Sequence, residues 1–175
     1  MSTVHDVQFE LVRNINYHVS RELFFSRVAK ILVGMQVLTS TAAFAAIVGT
    51  VGINLAKWVA LFGASIGIFL LIIDPAAAAR EHRIFRARYT ALLADLELSS
   101  SDEKAALVRS EIYRISGEEP PAYSAARALA YNETVDALFE EKEAETLRLG
   151  LSFADRMTAH LLPKRGKTFK PPSNA

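Results

Sequence analysis

Two long runs without a charged side chain constrain this chain more than any other feature. Residues 31–53 contain 23 consecutive uncharged residues, and residues 58–73 contain 16 more. At about 1.5 Å per helical residue, the first run would extend roughly 34 Å, enough to cross a ~30 Å hydrocarbon core with some tilt. The second run is short, but its helix can continue through Asp74 and kink at Pro75. We therefore predict a transmembrane helical hairpin, with spans at 31–53 and 58–75 and a turn at 54–57.

Several classes of function are disfavoured by the composition. A net charge of +1 offers no bulk attraction for nucleic acid. The absence of cysteine excludes disulfides, thiolate nucleophiles and cysteine metal sites. No HExxH, glycine-rich phosphate loop, GxSxG or EF-hand pattern occurs. Glu81 and His82 are adjacent, but neighbouring helical side chains diverge by about 100° and form no catalytic dyad. We expect no enzyme, catalytic residue, cofactor, metal site or nucleic-acid partner.

The distribution of positive charge predicts the orientation of the hairpin. Three basic residues lie within ten residues before the first span and four within 15 residues after the second, whereas only Lys57 lies between the spans. Those flanking residues are Arg21, Arg27, Lys30, Arg80, Arg83, Arg86 and Arg88. By the positive-inside rule, both termini are expected in the cytoplasm and the turn outside.

Small and polar residues form patterns within the two spans. Small residues at four-residue spacing let helices approach closely in lipid, and here they are Ala42 and Ala46, Ala45 and Gly49, and Gly63 and Gly67. A polar stripe on the first span consists of Gln36, Thr39, Ser40, Thr50 and Asn54. The stripe either holds the hairpin together by hydrogen bonds or lines a wet path in a homo-oligomer. The small-residue ridges likewise serve either one hairpin or contacts between protomers.

Two further features of the sequence are charged. Asp74 is the only acid in the apolar region. It is expected either to lie at the cytoplasmic interface or to act as an ion ligand or gate. The tail, residues 163–175, is predicted to be disordered and basic. Its cations are Lys164, Arg165, Lys167 and Lys170, and a basic cluster can bind an anionic lipid surface.

Outside the spans, apolar residues recur at helical spacing. The segment 4–30 carries Val7, Leu11, Ile15, Val19 and Leu23 on one face, and the segment 76–98 carries Phe85, Tyr89, Leu92 and Leu96. These two helices are expected to pack side by side. A third helix is predicted from a Ser100–Glu103 capping box to Gly117, and a fourth from 122 to 148 with Asn132 in its apolar face. A last helix would bury Leu151, Ala154, Met157 and Leu161.

The fold class that follows is an all-α membrane protein in which a transmembrane hairpin extends into a cytoplasmic helical bundle. The expected domains are an amphipathic helix at 1–30, the hairpin at 31–79, cytoplasmic helices at 80–162 and the tail.

The layout resembles a known family. The residues that carry the resemblance are the His18–Arg21–Phe24–Phe25 approach, the two spans, the segment AREHRIFRARYTALLADLE at 79–97, and the turn at 118–123 with 131–133. These are similar to the SLATT group of two-helix bacterial membrane effectors. The resemblance implies an oligomeric pore-forming or membrane-perturbing effector of a bacterial defence system, located in the inner membrane and triggered by a separate sensor protein.

Two other functions remain open at this point. The chain could be a membrane-anchored scaffold or adaptor whose cytoplasmic helices bind a partner protein, or a constitutive small ion channel. A scaffold would tolerate replacement of its spans by an unrelated hairpin. A triggered effector differs from a constitutive channel because its toxicity depends on the trigger.

Overall fold

The computed structural model describes residues 4–47, 49, 53–99, 101–164 and 166–171, apart from the side chains of Ala43, Ala46, Ile47 and Ile53. All regular secondary structure in these ranges is helical, which confirms the predicted all-α class. The helices are α1 (Val4–Ile47), α2 (Ile53–Ile73), α3 (Pro75–Leu98), α4 (Asp102–Glu118), α5 (Ser124–Leu138), α6 (Glu141–Leu147) and α7 (Phe153–Thr158).

The chain divides into two compact units. The apolar unit is Glu22–Arg80, and the charged unit comprises Met1–Arg21 and Glu81–Ala175. Helices within the ranges Val4–Ala42 and Asn54–Leu98 are long and apolar enough to cross a membrane, judged by length and composition alone. These two helices support an association with membranes.

In the apolar unit the break between the helices comes earlier than predicted. Helix α1 ends at Ile47 and α2 begins at Ile53, so the predicted turn at 54–57 is helical instead. Gly49 has φ +85°, a left-handed conformation that glycine adopts without the steric cost of a Cβ. The predicted first span overran this break because glycine is common in membrane helices and does not by itself mark an end.

The second helix is interrupted at Asp74 rather than kinked at Pro75. Helix α2 ends at Ile73, and Asp74 has φ +36°. The Asp74 carboxylate accepts a hydrogen bond of 2.9 Å from the Ala77 backbone N–H, so this exposed acid acts as the N-cap of α3. Pro75 then occupies the first helical position, where its missing N–H has no cost. This geometry gives Asp74 a structural role as a cap, and its predicted role at the interface or as a gate stays a prediction.

The first core of the charged unit joins α1, α3 and α4. It consists of Val7, Leu11, Phe85, Tyr89, Leu96, Ala105, Val108, Ile112 and Ile115. The predicted packing of the segment 4–30 against 76–98 is therefore confirmed for the part of each that belongs to this unit. The inward face predicted for the third helix is also confirmed, since Val108, Ile112 and Ile115 are buried.

The ends of α4 differ from the prediction by small shifts. Its N-cap is Ser101, whose side chain accepts a hydrogen bond from the Lys104 N–H, whereas the predicted cap, Ser100, lies outside the described residues. Gly117 lies inside the helix and does not end it. The helix ends instead at Glu118, because Glu119 precedes a proline and takes the extended conformation that such a position favours.

The second core of the charged unit is rich in alanine. It contains Tyr17, Ala125, Ala126, Ala130 and Ala159. The single helix predicted over 122–148 is divided into α5 and α6, because Phe139 and Glu140 are extended. Asn132 spans this division: it exchanges two hydrogen bonds, of 2.9 and 2.7 Å, with the backbone of Leu149.

The apolar face predicted for the last helix is wrong. In α7 Asp155 is buried, whereas Met157 is 65% exposed and Leu161, just beyond the helix, is 61% exposed. The reason is that Asp155 completes a capping box with Ser152 and binds two lysines, which turns the opposite face outward. An exposed apolar surface results, formed by Phe153, Met157, Leu161 and Leu162.

Candidate functional site

Two members of the predicted polar stripe face the second helix of the same hairpin. A Cβ built on Gly63 would lie 2.7 Å from Thr39 Oγ1, and one built on Gly67 would lie 3.7 Å from Gln36 Oε1. The two glycines therefore allow close approach of α2 to the polar side of α1. Thr39 also donates to the carbonyls of Met35 and Gln36 within α1.

The remaining stripe residues do not form one continuous face. Ser40 is exposed on α1, whereas Asn54 belongs to α2 and is exposed there. Thr50 lies outside the described residues. The stripe was predicted from the assumption of a single helix through residue 53, and the break after Ile47 removes that assumption.

The small-residue positions are divided in the same way. Gly63 and Gly67 contact α1, whereas Ala42 is exposed and Gly49 forms the turn. The side chain of Ala46 lies outside the described residues. Only the ridge on α2 therefore has a packing role that the described contacts show.

Basic residues of the tail are held against the charged unit. Lys164 and Lys167 each place Nζ 2.7 Å from Asp155 Oδ1, and these contacts strongly lower the pKa of the buried Asp155 carboxyl. The carbonyl of Lys170 accepts a hydrogen bond of 2.9 Å from the Gly150 N–H. The described residues of the tail thus make specific contacts with the rest of the charged unit. Arg165 lies outside the described residues, and two of the predicted lipid-binding cations already have a carboxylate partner.

A cluster of polar side chains is buried within the charged unit, and we call it the histidine cluster: His18, His82, Tyr89 and Glu119. His18 comes from α1, His82 and Tyr89 from α3, and Glu119 from the extended turn after α4. The Nδ1 atoms of the two histidines lie 2.9 Å apart, and His18 Nε2 lies 3.3 Å from Glu119 Oε1. The Tyr89 hydroxyl donates to the same carboxylate oxygen.

The contact between the two Nδ1 atoms limits the protons of this cluster. One Nδ1 atom must donate and the other must accept, so at least one of the two imidazoles is neutral. The His18 ring stacks between Phe85 and Tyr89, with centroids 5.4 and 5.6 Å away, so its orientation is fixed by packing as well.

The electrostatics identify His82 as a neutral ring near pH 7. Burial, aided by His18 and Arg21, lowers the pKa of His82 to about 4. Burial alone would raise the pKa of Glu119, but hydrogen bonds from His18 and Tyr89 outweigh it and lower that pKa. Burial and the bond to Glu119 raise the pKa of Tyr89. The cluster therefore links three segments of the chain through the Glu119 carboxylate and the two histidine rings.

A second polar element lies beside the cluster. The guanidinium of Arg21 is buried, donates a 2.7 Å hydrogen bond to the His160 carbonyl and lies 4.0 Å above the Tyr123 ring. Burial and the positive charge of Arg21 lower the pKa of His160 to about 4. Tyr17 Oη accepts a hydrogen bond of 3.3 Å from the Tyr123 N–H. These contacts attach the α7 region to α1.

Neither histidine of the cluster was predicted as a site from the sequence. A signal was available: His18 lies 13 residues before the first uncharged run and His82 lies 9 residues after the second. Helices that pair side by side bring such positions together. What could not be predicted is the Nδ1–Nδ1 contact, which depends on the rotation of both helices.

The arrangement joins α1, α3 and the turn after α4 through buried polar contacts. Comparisons of the chain with protein-family models, with curated proteins and with solved structures find no match.

Proposed function

We propose that this chain is an integral membrane protein whose oligomers form a pore or perturb the bilayer, as an effector of a bacterial defence system. In this proposal both termini lie in the cytoplasm, the hairpin crosses the inner membrane, and a separate sensor protein triggers the assembly. The support comes from the charge asymmetry around the two apolar helices, from the resemblance to the SLATT group, and from the surface of the apolar unit.

That surface is apolar on its outer sides. Leu71 is 82% exposed and Ile72 is 73% exposed, and Leu38 and Trp58 are similarly open. Apolar patches of this extent are unusual on soluble monomers and mark contacts with lipid or with other protein chains. Two helices cannot enclose a pore, so conduction requires several copies of the hairpin.

The observation that carries the proposal is the amide of Gln36. Its Oε1 atom is buried and has no hydrogen-bond partner among the described residues. An unpaired amide oxygen in an apolar environment costs about 1–3 kcal/mol by protein mutational data. Because the amide faces Gly67 within the hairpin, a donor from a second protomer, or water between protomers, would reach it when assembly separates α1 from α2 at this level, and that donor would remove the cost.

The experiment measures membrane potential, with a voltage-sensitive dye, in bacteria that express the protein at graded levels. Gln36→Met removes the amide at similar length, and Ser40→Leu alters the exposed neighbour on the same side of α1. Thr41→Leu is the matched control for Ser40→Leu. Thr41 is also polar and exposed, but it lies about 100° around α1 from Ser40. Membrane fractionation checks that every variant is inserted.

Depolarisation by the wild type and by Thr41→Leu, with its loss in Gln36→Met, would support the proposal. Cross-linked oligomers should be depleted in the same variant. Full depolarisation by Gln36→Met would refute a role for the amide in assembly or conduction. No depolarisation by the wild type, at verified insertion, would move support to the second function.

The second candidate is a membrane-anchored scaffold, and the exposed surface of α7 favours it. Phe153 is 78% exposed, and together with Met157, Leu161 and Leu162 it forms an apolar surface on the charged unit. A scaffold would bind a partner protein there, while its spans would serve only as an anchor. Replacement of residues 31–73 by an unrelated hairpin should then preserve activity, whereas a pore would lose it.

A further inference from the structure

An open cavity of about 290 Å³ lies in the charged unit, at the start of α5. Its lining residues are Arg13, Ser124, Arg127, Ala128, Tyr131, Leu149 and Phe169. Two of these are arginines, two are aromatic, and none is acidic. The cavity is at the lower limit of the volumes that hold small organic ligands, roughly 300–1,000 Å³.

Positive charge at this cavity is only partly balanced by carboxylates, since Glu10 pairs loosely with Arg13 and Glu119 interacts electrostatically with Arg127 without an ion pair. The only ion pair of Arg13 among the described residues is a loose one, 3.5 Å from Glu10 on the same helix. Arg127 forms no ion pair within the described chain. Burial lowers the pKa of Arg13, Glu10 opposes this effect and Arg127 adds to it, which shows that the two guanidinium groups repel each other.

Two guanidinium groups that face one cavity repel each other electrostatically, and a bound anion would offset this repulsion. The first turn of α5 contributes as well, because Ser124 lines the cavity and the N-cap residue, Tyr123, provides no side-chain hydrogen bond. The partial positive charge of a helix N-terminus favours an anion at this end. Arginine is also the side chain best suited to bidentate binding of phosphate or carboxylate.

The other walls are apolar and held in place. Phe169 packs against the alanine-rich core, and its segment is held by the Gly150–Lys170 hydrogen bond and by the ion pair of Lys167 with Asp155. Tyr131 makes an edge contact with Phe9, at 5.3 Å between ring centroids. Planar groups stack favourably on such aromatic faces. The cavity therefore combines a cationic side with aromatic walls that do not need to rearrange.

We propose that this cavity, with Arg13 and Arg127 on its cationic side and Tyr131 and Phe169 as aromatic walls, binds a small anion that carries a phosphate or carboxylate on a planar apolar group. The site lies wholly in the charged unit and does not depend on whether the hairpin forms a pore. A phosphate group is carried both by free aryl phosphates and by lipid headgroups. The aromatic walls favour the free aryl anion, because only that anion joins the phosphate to a planar group.

The experiment is a calorimetric titration of the full-length protein in dodecyl maltoside with phenyl phosphate, and in parallel with inorganic phosphate, at constant ionic strength. The key variant is Arg127→Gln, because Arg127 is exposed and its loss breaks no ion pair with a described residue. Arg156→Gln removes one exposed positive charge from α7 and is the matched control. Short-chain phosphatidylglycerol as a competitor separates the two phosphate sources.

Phenyl phosphate should bind at least tenfold more tightly than inorganic phosphate. Arg127→Gln should raise its Kd at least tenfold, and Arg156→Gln should leave the Kd within twofold. Phe169→Leu, which keeps an apolar wall, should remove most of the preference for the aryl anion. No binding by the wild type, or an equal loss in both arginine variants, would overturn the proposal. Displacement of phenyl phosphate by the lipid at lower concentration would overturn the assignment to a free aryl anion.

Discussion

The stability of the charged unit should depend on pH through the histidine cluster. His82 is buried, and its Nδ1 contact with His18 requires one of the two nitrogens to be an unprotonated acceptor. Its pKa is lowered from 6.5 to about 4. The unfolded chain therefore binds a proton more readily than the folded chain between these values, so stability is complete above pH 6.5 and is lost as the pH falls towards 4.

The magnitude follows from the two pKa values of His82. One pKa unit corresponds to about 1.36 kcal/mol, so a lowering from 6.5 to about 4 is worth about 3 kcal/mol in total. Between pH 7.5 and pH 5, linkage gives a loss of about 2 kcal/mol from this residue. His160, whose pKa is also about 4, adds a similar loss. The lowered pKa of Glu119 acts mainly below pH 5 and stays outside this window.

The assay is urea unfolding in dodecyl maltoside at pH 7.5 and pH 5, followed by far-UV circular dichroism. We expect the wild type to lose about 4 kcal/mol between these pH values and His82→Gln to lose about 2 kcal/mol. Glutamine keeps a hydrogen-bonding group beside His18 but cannot titrate. His5→Gln is the control, because His5 is exposed on α1, and it should follow the wild type.

The comparison uses differences between pH values, so any effect of the substitution on stability at neutral pH cancels. An equal loss of stability in the wild type and in His82→Gln would refute the argument that His82 is buried in its neutral form. Greater stability at pH 5 than at pH 7.5 would refute the lowered pKa values of His82 and His160.

Three further predictions concern packing and the tail. Gly63→Ala should lower the thermal stability of the hairpin in detergent by about 1–3 kcal/mol, because the new Cβ would lie 2.7 Å from Thr39 Oγ1. Gly34→Ala, with no described atom within 4 Å, should be neutral, and equal effects of the two would contradict the packing shown here. Leu11→Ala empties a fully buried position and should reduce the free energy of urea unfolding by about 2–5 kcal/mol; a loss below 1 kcal/mol would contradict its place in the core. Asp155→Asn removes the charge that holds two tail lysines, so limited proteolysis of the tail should accelerate severalfold, and an unchanged rate would show that other contacts hold it.

Several features of this protein could be predicted from the sequence because they depend on local composition. The two uncharged runs, the apolar faces at 7, 11, 85 and 89, and the extended turn before Pro120 all appear in the structure. Hydrophobic periodicity is a property of single helices. A proline restricts the backbone of the residue before it in any tertiary environment. The position of Asn132 in an apolar face was visible in the sequence, but its partner, the backbone of Leu149, was not.

Other features depended on contacts between distant residues. The sequence pattern alone does not distinguish Gly49, which ends a helix, from Gly117, which lies within one, because glycine permits both conformations. The outward face of α7 was predicted to be buried, since periodicity does not reveal that Asp155 would bind two lysines and a cap.

The sequence by itself determined that the chain is helical, that it contains two stretches able to cross a membrane, and which faces of α3 and α4 are buried. Only the tertiary structure decided that His18 meets His82, that Gly63 adjoins Thr39, and that Arg13 and Arg127 share a cavity. The physical reason is that burial is encoded residue by residue in side-chain chemistry, whereas a meeting of polar groups depends on the rotation and register of whole helices, which many weak contacts set together.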